Sequence, residues 1–311
     1  KMHALLLTKI EQGVEVMFMY DDFGAMLRTS KYFRRNLEEE GFQVRVFNPI
    51  HKYTEKLYMN YRSHQKIIVI DGNVGYTGGM NLADRYLKGG SWGIWRDTHS
   101  MIKGRAVHGL QTAFLLDWYF VDRTLITASV YFPRIETAGD SLIQIVTSEP
   151  IGPSQEIMQG LTMAIASAKK YVYMQTPYFL PTEQVLGAMQ TAALAGIDVR
   201  LMLPEKTDSW LTHLGSLSYI EEVLQAGVKV YFYKKGFLHS KVMVSDDMLS
   251  TVGSTNIDFR SFEHKQTALE IREMFLMDQR ECTQVFLKNW VKRSWKSKAK
   301  ESVVRLVSPL L

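Results

Sequence analysis

His64-Gln65-Lys66-Ile67-Ile68-Val69-Ile70-Asp71, followed by Gly78-Gly79-Met80-Asn81, is the stretch that decides the fold, because it occurs twice. The second copy is His239-Ser240-Lys241-Val242-Met243-Val244-Ser245-Asp246, followed by Gly253-Ser254-Thr255-Asn256. A single His-x-Lys is expected by chance in a chain with 37 Lys and Arg residues and 8 His, whereas two copies in register are not. The repeat predicts a duplicated fold that builds one composite active site.

Helix-like and strand-like segments alternate around both copies. Helical patterns cover residues 26–40, 105–122, 155–168, 183–195 and 217–226, with runs rich in Val, Ile, Tyr and Phe between them. Glycines stand where a helix should end before a β-rich run, at Gly13, Gly41, Gly196 and Gly227. The alternation predicts an α/β protein with helices packed on a sheet.

The domain organisation follows from breaks in this pattern. Pro133 and Gly139 interrupt it, so we expect a linker within 121–141 and two repeats, at residues 1–138 and 139–311. More helix and strand precedes Gly196 in the second repeat than precedes Gly13 in the first. We therefore expect the first repeat to be N-terminally incomplete.

Composition sets limits on the class of protein. The 311 residues are 46% hydrophobic and 22% charged, which is typical of a globular protein with a core. The net charge of +5 favours an anionic partner, and the single Cys282 excludes an internal disulfide framework. No apolar run reaches the ~18 residues that a membrane-spanning helix needs.

The repeated motif carries phosphate chemistry. Both copies are predicted to lie on strands, because short apolar runs follow each Lys. On a strand, residues two apart face the same way, so His64 with Lys66, and His239 with Lys241, are expected to face one pocket. Strand parity turns Asp71 and Asp246 away, and we expect them to be structural, holding a turn or pairing with a backbone or basic group. Lysines, Asn81, Asn256 and the backbone near Gly79 and Ser254 form a receptor for a phosphate oxyanion.

The two histidines then supply the reaction. One neutral imidazole attacks phosphorus and forms a phosphohistidine, while the other, protonated, delivers a proton to the leaving alkoxide. These steps occur on opposite sides of the phosphorus, so the repeats are expected to face each other about a pseudo-two-fold axis. Lys and protonated His offset the phosphoryl charge, so no metal and no other cofactor is expected. A zinc site is disfavoured because neighbouring lysines would repel the cation.

At these residues the chain resembles the phospholipase D superfamily, whose hallmark is a duplicated His-x-Lys-x4-Asp motif. Within it, the chain is similar to the bacterial cardiolipin synthases over essentially its whole length. The supporting segments include Tyr61-Arg62-Ser63-His64, Trp95-Arg96-Asp97-Thr98-His99, Thr176-Pro177-Tyr178-Phe179 and Gly236-Phe237-Leu238-His239. The resemblance implies two pseudo-symmetric repeats, each a mixed β-sheet flanked by helices, that face each other across one active site.

The resemblance also implies an activity, in which two phosphatidylglycerols give cardiolipin and glycerol. It makes His64 the nucleophile and His239 the acid and base, and it matches Asp97 and Glu270 to acids that orient the histidines. It further implies a location at the cytoplasmic face of the bacterial inner membrane, with the membrane anchor outside this chain. Members usually carry N-terminal membrane helices, and none is found here.

Alternatives stay open at this point. A phosphodiesterase of the same fold would hydrolyse phospholipid or nucleic acid with water as the acceptor, and a binding module with a dead site would use neither histidine. We expect a phospholipid substrate, an anionic membrane surface and no nucleic acid as partners, and the sequence does not give the oligomeric state. The basic C-terminal segment, with Trp290, Trp295 and Leu306 among its lysines, fits either a helix on anionic lipid or a helix docked on the core.

Overall fold

Strands and helices alternate along the described part of the chain. The structure is a computed structural model that describes residues 1–22, 25, 32–49, 62–90, 93–147, 156–254, 260–263 and 265–307. The strands are β1 (Met17–Asp21), β2 (Gln43–Phe47), β3 (Ile67–Ile70), β4 (Val74–Gly78), β5 (Ile94–Arg96), β6 (His99–Lys103), β7 (Leu142–Ile145), β8 (Tyr171–Gln175), β9 (Asp198–Pro204), β10 (Lys229–Tyr233), β11 (Gly236–Leu238), β12 (Val242–Ser245), β13 (Leu249–Val252), β14 (Arg260–Glu263) and β15 (Cys282–Val285). The helices are α1 (Met2–Glu11), α2 (Phe33–Glu39), α3 (Arg85–Lys88), α4 (Val107–Asp122), α5 (Glu156–Ser167), α6 (Glu183–Leu194), α7 (Trp210–Ser218), α8 (Ile220–Gln225), α9 (Lys265–Gln279), α10 (Leu287–Trp290) and α11 (Trp295–Val307).

The chain divides into two compact units. The smaller is made mainly of Lys1–His64 and Gln111–Phe132, and the larger of Gln65–Leu110, Pro133–Ser148 and Gly152–Leu311. In the smaller unit β1 pairs with β2 in parallel, and a hydrophobic cluster forms around Leu37, Phe42 and Val44. The boundary predicted between residues 138 and 139 separates two sequence repeats, whereas these units are defined by compactness. The repeat boundary therefore stays a prediction.

One mixed sheet organises the larger unit. Its strand order is β15-β10-β9-β8-β12-β13-β14-β7. Strands β8, β9 and β10 are parallel, with α6 between the first two and α7 and α8 between the last two. Helical crossovers of this kind are what parallel neighbours require. The other neighbours in the sheet are antiparallel.

Both faces of this sheet are covered. On β8, Val172 and Met174 belong to a cluster that includes Leu161 of α5, whereas Tyr171 and Tyr173 belong to a second cluster that includes Phe275 of α9. Successive residues of a strand point to opposite faces, so a strand with helices on both sides is buried throughout. The predicted α/β fold, with helices flanking the sheet, is confirmed.

The helix predictions are mostly confirmed. Residues 105–122, 155–168 and 183–195 correspond to α4, α5 and α6, with small differences at their ends. Of the predicted helix at 26–40, α2 covers Phe33–Glu39, and residues 26–31 lie outside the described residues. The helix predicted at 217–226 is confirmed as α8 over Ile220–Gln225, but its predicted start is corrected, because residues 217 and 218 end α7 and the two helices meet at Tyr219.

Local sequence signals explain why the ends of some helices could be predicted. Thr182 caps α6 by accepting a hydrogen bond from the N–H of Val185. Gly196 and Gly227 follow α6 and α8 with φ of 88° and 98°, in the left-handed region that glycine adopts without strain.

Two smaller sheets in the larger unit position the motif copies. Strands β3, β4 and β6 form an antiparallel sheet, and β3 directly follows the first His-x-Lys. Strands β5 and β11 pair in parallel just before Asp97 and His239. At the C-terminal end, α11 docks on the core through buried Val304. None of the helices in the described ranges is long and apolar enough to cross a membrane.

Candidate active site

A short parallel strand pair brings two halves of the sequence together. Phe237 of β11 is opposite Trp95 of β5, and the N–H of His239 extends the ladder by donating to the Arg96 carbonyl at 2.7 Å. A Cβ at Gly236 would lie 2.1 Å from the carbonyl oxygen of Ile94, so only glycine allows this approach. The pairing places Asp97, which follows β5, beside His239, which follows β11.

Asp97 and His239 form a buried hydrogen bond. The His239 Nδ1 lies 2.7 Å from Asp97 Oδ2, and the two side chains are 7% and 1% exposed. The N–H of Thr98 donates to the other carboxylate oxygen at 2.8 Å. A carboxylate only accepts hydrogen bonds, so the Nδ1 atom carries the proton. The lone pair of the neutral ring is therefore on Nε2.

Tyr86 adds a third member to this pair, and it was missed from the sequence. Its hydroxyl lies 3.2 Å from both Asp97 Oδ2 and His239 Nδ1, and Asn81 Nδ2 reaches it at 3.5 Å. Burial and the charge of Asp97 raise the pKa of Tyr86, so the phenol stays a donor at neutral pH. The only signal in the sequence was its place five residues after Asn81.

The surroundings of His239 keep its imidazole neutral. The rings of Trp95 and Phe237 lie with their centroids 5.1 and 5.6 Å from that of His239. Burial lowers the pKa of His239, the hydrogen bond that His239 donates to Asp97 opposes this, and the charges of Lys241 and Lys66 lower it further. A neutral imidazole with Nε2 unprotonated can take up a proton or attack an electrophile.

Lys241 and His239 are close neighbours, but not as members of one strand. The lysine is 3% exposed and its Nζ donates to the His239 carbonyl at 2.6 Å. The prediction that the motifs lie on strands is corrected here, because β3 and β12 begin only at Ile67 and Val242. In the second copy, the chain leaves the β5–β11 ladder after His239 and joins the large sheet at Val242, so the residues between them are irregular.

Gly79 serves the packing of Asp97. A Cβ on Gly79 would lie 2.0 Å from Asp97 Oδ1, and the N–H of Gly79 donates to the Thr98 carbonyl at 3.0 Å. Its counterpart Ser254 is 2% exposed. The predicted roles of both residues in binding substrate stay predictions.

Three further residues were predicted to be catalytic. His64 is exposed and belongs to the smaller unit, and Glu270 is exposed on α9. Asn256 lies outside the described residues. The catalytic roles expected for these three stay predictions.

The motif aspartates occupy tight turns. Asp71 and Asp246 have φ of 51° and 54°, after β3 and β12 respectively. The carboxylate of Asp246 accepts hydrogen bonds from the N–H groups of Lys169, Lys170 and Tyr171 at 2.6, 2.9 and 2.9 Å. Asp246 thereby holds the segment that leads into β8, far along the chain from its own turn.

A partly buried ion pair between Arg96 and Asp278 supports the backbone at Asp97, and sequence reasoning did not find it. Arg96 donates through Nε and Nη2 to the two oxygens of Asp278 at 3.0 and 2.9 Å. The side-chain amide of Gln175 donates to the same carboxylate at 2.9 Å. Arg96 also donates to the Asp97 carbonyl at 2.5 Å. These contacts hold the backbone at Asp97 in place.

Within the described ranges, His, Cys, Asp and Glu side chains form no group of three or more that could hold a metal ion.

Sequence comparisons place the chain among known proteins. Residues 1–106 and 161–295 match the model of a family described as "Cardiolipin synthase, PLD-like domain". A cardiolipin synthase of Geobacillus sp. (strain WCH70) is 38% identical over 327 residues, covering all of this chain and 64% of that protein. One of Listeria innocua serovar 6a is 37% identical over 324 residues, covering all of this chain and 67% of that protein. The chain thus spans about two thirds of the length of these curated relatives.

A solved structure shares the fold. The phosphatidylserine synthase of Haemophilus influenzae Rd KW20 aligns with a TM-score of 0.61, covering 95% of this chain and 80% of that one, at 13% identity. Together with the family match in two segments, this likeness confirms the prediction of a phospholipase D-type α/β fold with two repeats.

Proposed function

The chain belongs to the cardiolipin synthase family of phospholipase D-like domains, and on that premise we propose that it transfers a phosphatidyl group between two phosphatidylglycerols. The products are cardiolipin and glycerol. The relatives named cardiolipin synthase, which align over the whole of this chain, support this substrate class.

One observation carries the chemistry, namely the buried hydrogen bond between Asp97 and His239. It fixes the tautomer that leaves Nε2 of His239 available for proton transfer. Lys66 and Lys241 lower the pKa of this imidazole when no anion is bound. A phosphodiester bound beside them offsets their charges, so the approach of substrate favours the protonated form that the first step needs.

The reaction proceeds in two half-reactions. An imidazole nitrogen of His64 attacks phosphorus, the bond from phosphorus to the glycerol oxygen breaks, and His239 donates a proton to that oxygen. A glycerol hydroxyl of the second phosphatidylglycerol then attacks the phosphohistidine while His239 takes its proton. The bond to His64 breaks, and both histidines return to their starting state.

The other predicted residues have supporting roles in this proposal. Lys66, Lys241, Asn81 and Asn256 bind the phosphate oxygens, with the backbone at Gly79 and Ser254 nearby. Glu270 orients His64 as Asp97 orients His239. Asp71 and Asp246 hold turns and take no part in the chemistry.

The substrate sets the location. Phosphatidylglycerol is a membrane lipid, so the enzyme works at an anionic membrane surface, in this proposal the cytoplasmic face of the bacterial inner membrane. A phospholipid partner, rather than nucleic acid, is what the family supports.

The test is an assay of the protein with phosphatidylglycerol vesicles, following cardiolipin, glycerol and phosphatidic acid. We expect cardiolipin and glycerol in equal amounts, unchanged by a chelator. Phosphatidic acid as the sole lipid product would favour the hydrolytic alternative, and loss of activity with the chelator would contradict the metal-free mechanism.

A trapping experiment assigns the nucleophile. After quenching in an alkaline denaturant, which preserves the acid-labile phosphorus–nitrogen bond, the wild-type protein and His239→Ala should carry a phosphatidyl adduct, and His64→Ala should not. An adduct that persists in His64→Ala and is absent from His239→Ala would reverse the two roles.

A further inference from the structure

The C-terminal helix α11 uses one side to dock on the larger unit. Glu301 and Val304 are 4% and 6% exposed. Arg293 donates to both oxygens of Glu301 at 2.6 and 3.0 Å. These contacts bury the single acidic residue of the helix.

Two cations of α11 are also paired on the docked side. Arg305 lies 2.8 Å from Glu222, and Lys298 lies 3.1 Å from Glu221. Both acids belong to α8. The inner side of α11 is therefore balanced in charge and attached to its neighbours.

The outer side of the same helix is apolar along one stripe. Trp295, Val303 and Leu306 are 74%, 64% and 82% exposed. With exposed Ala299, they follow the spacing of four, four and three residues that lines one helical face. Large apolar side chains this exposed on a docked helix leave hydrophobic surface in contact with water.

A second stripe of cations runs beside the first. Lys292, Lys296 and Lys300 are all exposed and lie four residues apart. Between residues 291 and 306, all of which are described, no acidic side chain is exposed. We call these three lysines with Trp295, Val303 and Leu306 the tail face.

We propose that the tail face binds the surface of an anionic phospholipid bilayer, a proposal that deepens the proposed function by saying how this part of the protein meets its substrate membrane. A helix that lies in a bilayer surface presents Trp and aliphatic residues to the acyl boundary and lysines to the headgroups. Lysine stems reach along apolar surface to keep their ammonium groups at the phosphates. The three lysines are positively charged and no exposed acidic side chain between residues 291 and 306 offsets them. An anionic surface therefore complements the tail face.

Vesicle binding tests the proposal without requiring turnover. Sedimentation with phosphatidylglycerol-containing vesicles should show at least tenfold tighter binding than with phosphatidylcholine alone, weakening as salt is raised. The variants Val303→Ser/Leu306→Ser and Lys292→Ser/Lys296→Ser/Lys300→Ser should each lose about tenfold in affinity. Brominated lipids should quench tryptophan emission in the wild type, and less in Trp295→Phe.

Matched controls separate the tail face from general hydrophobicity and charge. Met163 and Leu194 are exposed to a similar degree elsewhere, at 69% and 74%. Met163→Ser/Leu194→Ser should bind vesicles like the wild type. Lys103→Ser/Lys169→Ser/Lys170→Ser changes net charge by the same amount at other exposed lysines and should also bind normally.

The outcomes distinguish this proposal from the proposed function. If the tail-face variants bind as the wild type does, or if phosphatidylcholine vesicles bind equally well, the proposal is overturned. Turnover of a short-chain phosphatidylglycerol dissolved as monomers should be unchanged in the tail-face variants. Absence of that turnover in the wild type would reject the proposed function and leave the binding result standing.

Discussion

Asp97 Oδ2 lies 2.7 Å from His239 Nδ1, although 142 residues separate the two in the sequence. The contact is almost fully closed to solvent. The carboxylate therefore decides which ring nitrogen carries the proton, and the reacting nitrogen is the one that faces away from it.

Replacing Asp97 with Asn should reduce kcat by about 10²-fold, the lower end of what general acid–base catalysis contributes. An amide can donate to Nδ1 as well as accept from it, so the imidazole is no longer restricted to one tautomer. Steady-state kinetics should show a small change in KM. Asp84→Asn is the matched control, because Asp84 is exposed and pairs with Lys88 at the surface, 2.7 Å away. Equal activity in the two variants would contradict the orienting role.

Replacing Tyr86 with Phe should move the alkaline limb of the kcat/KM profile to higher pH, because the first half-reaction needs protonated His239. The hydroxyl donates to Asp97 Oδ2, so its loss leaves a carboxylate that attracts imidazolium more strongly, and the pKa of His239 rises. We expect kcat to fall about fivefold, as for one hydrogen bond of about 1 kcal/mol. Tyr173→Phe removes a comparable bond to Asp198 and should leave the limb in place. A purely structural role for Tyr86 would lower stability without moving the profile.

Replacing Gly79 with Ala should lower activity about as much as Asp97→Asn, roughly 10²-fold. The new methyl group would lie 2.0 Å from Asp97 Oδ1, so the carboxylate has to move away from His239. Gly187→Ala adds a methyl group to α6 with nothing within 4 Å. That control should keep full activity, and stability should rise by up to about 1 kcal/mol because Ala favours helix. Normal activity in Gly79→Ala would mean that Asp97 need not hold its position.

Replacing Asp246 with Ala should lower the free energy of unfolding by about 2 kcal/mol, since three backbone donors lose a charged acceptor. Denaturant titration measures the change. Asp71→Ala, at the corresponding exposed turn of the first copy, should cost less. A larger loss of unfolding free energy in Asp71→Ala than in Asp246→Ala would contradict this expectation.

Parts of the fold could be predicted from the sequence because capping residues and glycines set them locally. The helix at 183–195 is bounded by the Thr182 cap and by Gly196, and both signals are visible in the sequence. The break at Tyr219 was not visible, because no Gly or Pro marks it between residues 216 and 226. Its ring packs against Phe179 and Arg305, contacts that only the structure shows.

The sequence predicted the repeated residues of the candidate site, but not the contacts that these residues make. The double motif pointed to His239 and Lys241, whereas Asp97 came only through family resemblance. Nothing in residues 94–96 marks a strand that pairs with 236–238, and Tyr86 becomes notable only once that pairing exists. Long-range pairing of very short strands carries too little local pattern to be recognised in one sequence.

The pairing of β5 with β11 has a consequence for how this gene can change. Three residues on each strand set the backbone register that aligns Asp97 with His239. One inserted or deleted residue would shift the partners by about 3.3 Å and turn side chains to the opposite face. Apart from Gly236, where a Cβ would lie 2.1 Å from the Ile94 carbonyl oxygen, these positions can absorb single substitutions, but a change of length cannot be absorbed. We expect natural variation in chain length to be confined to the connections outside these two strands.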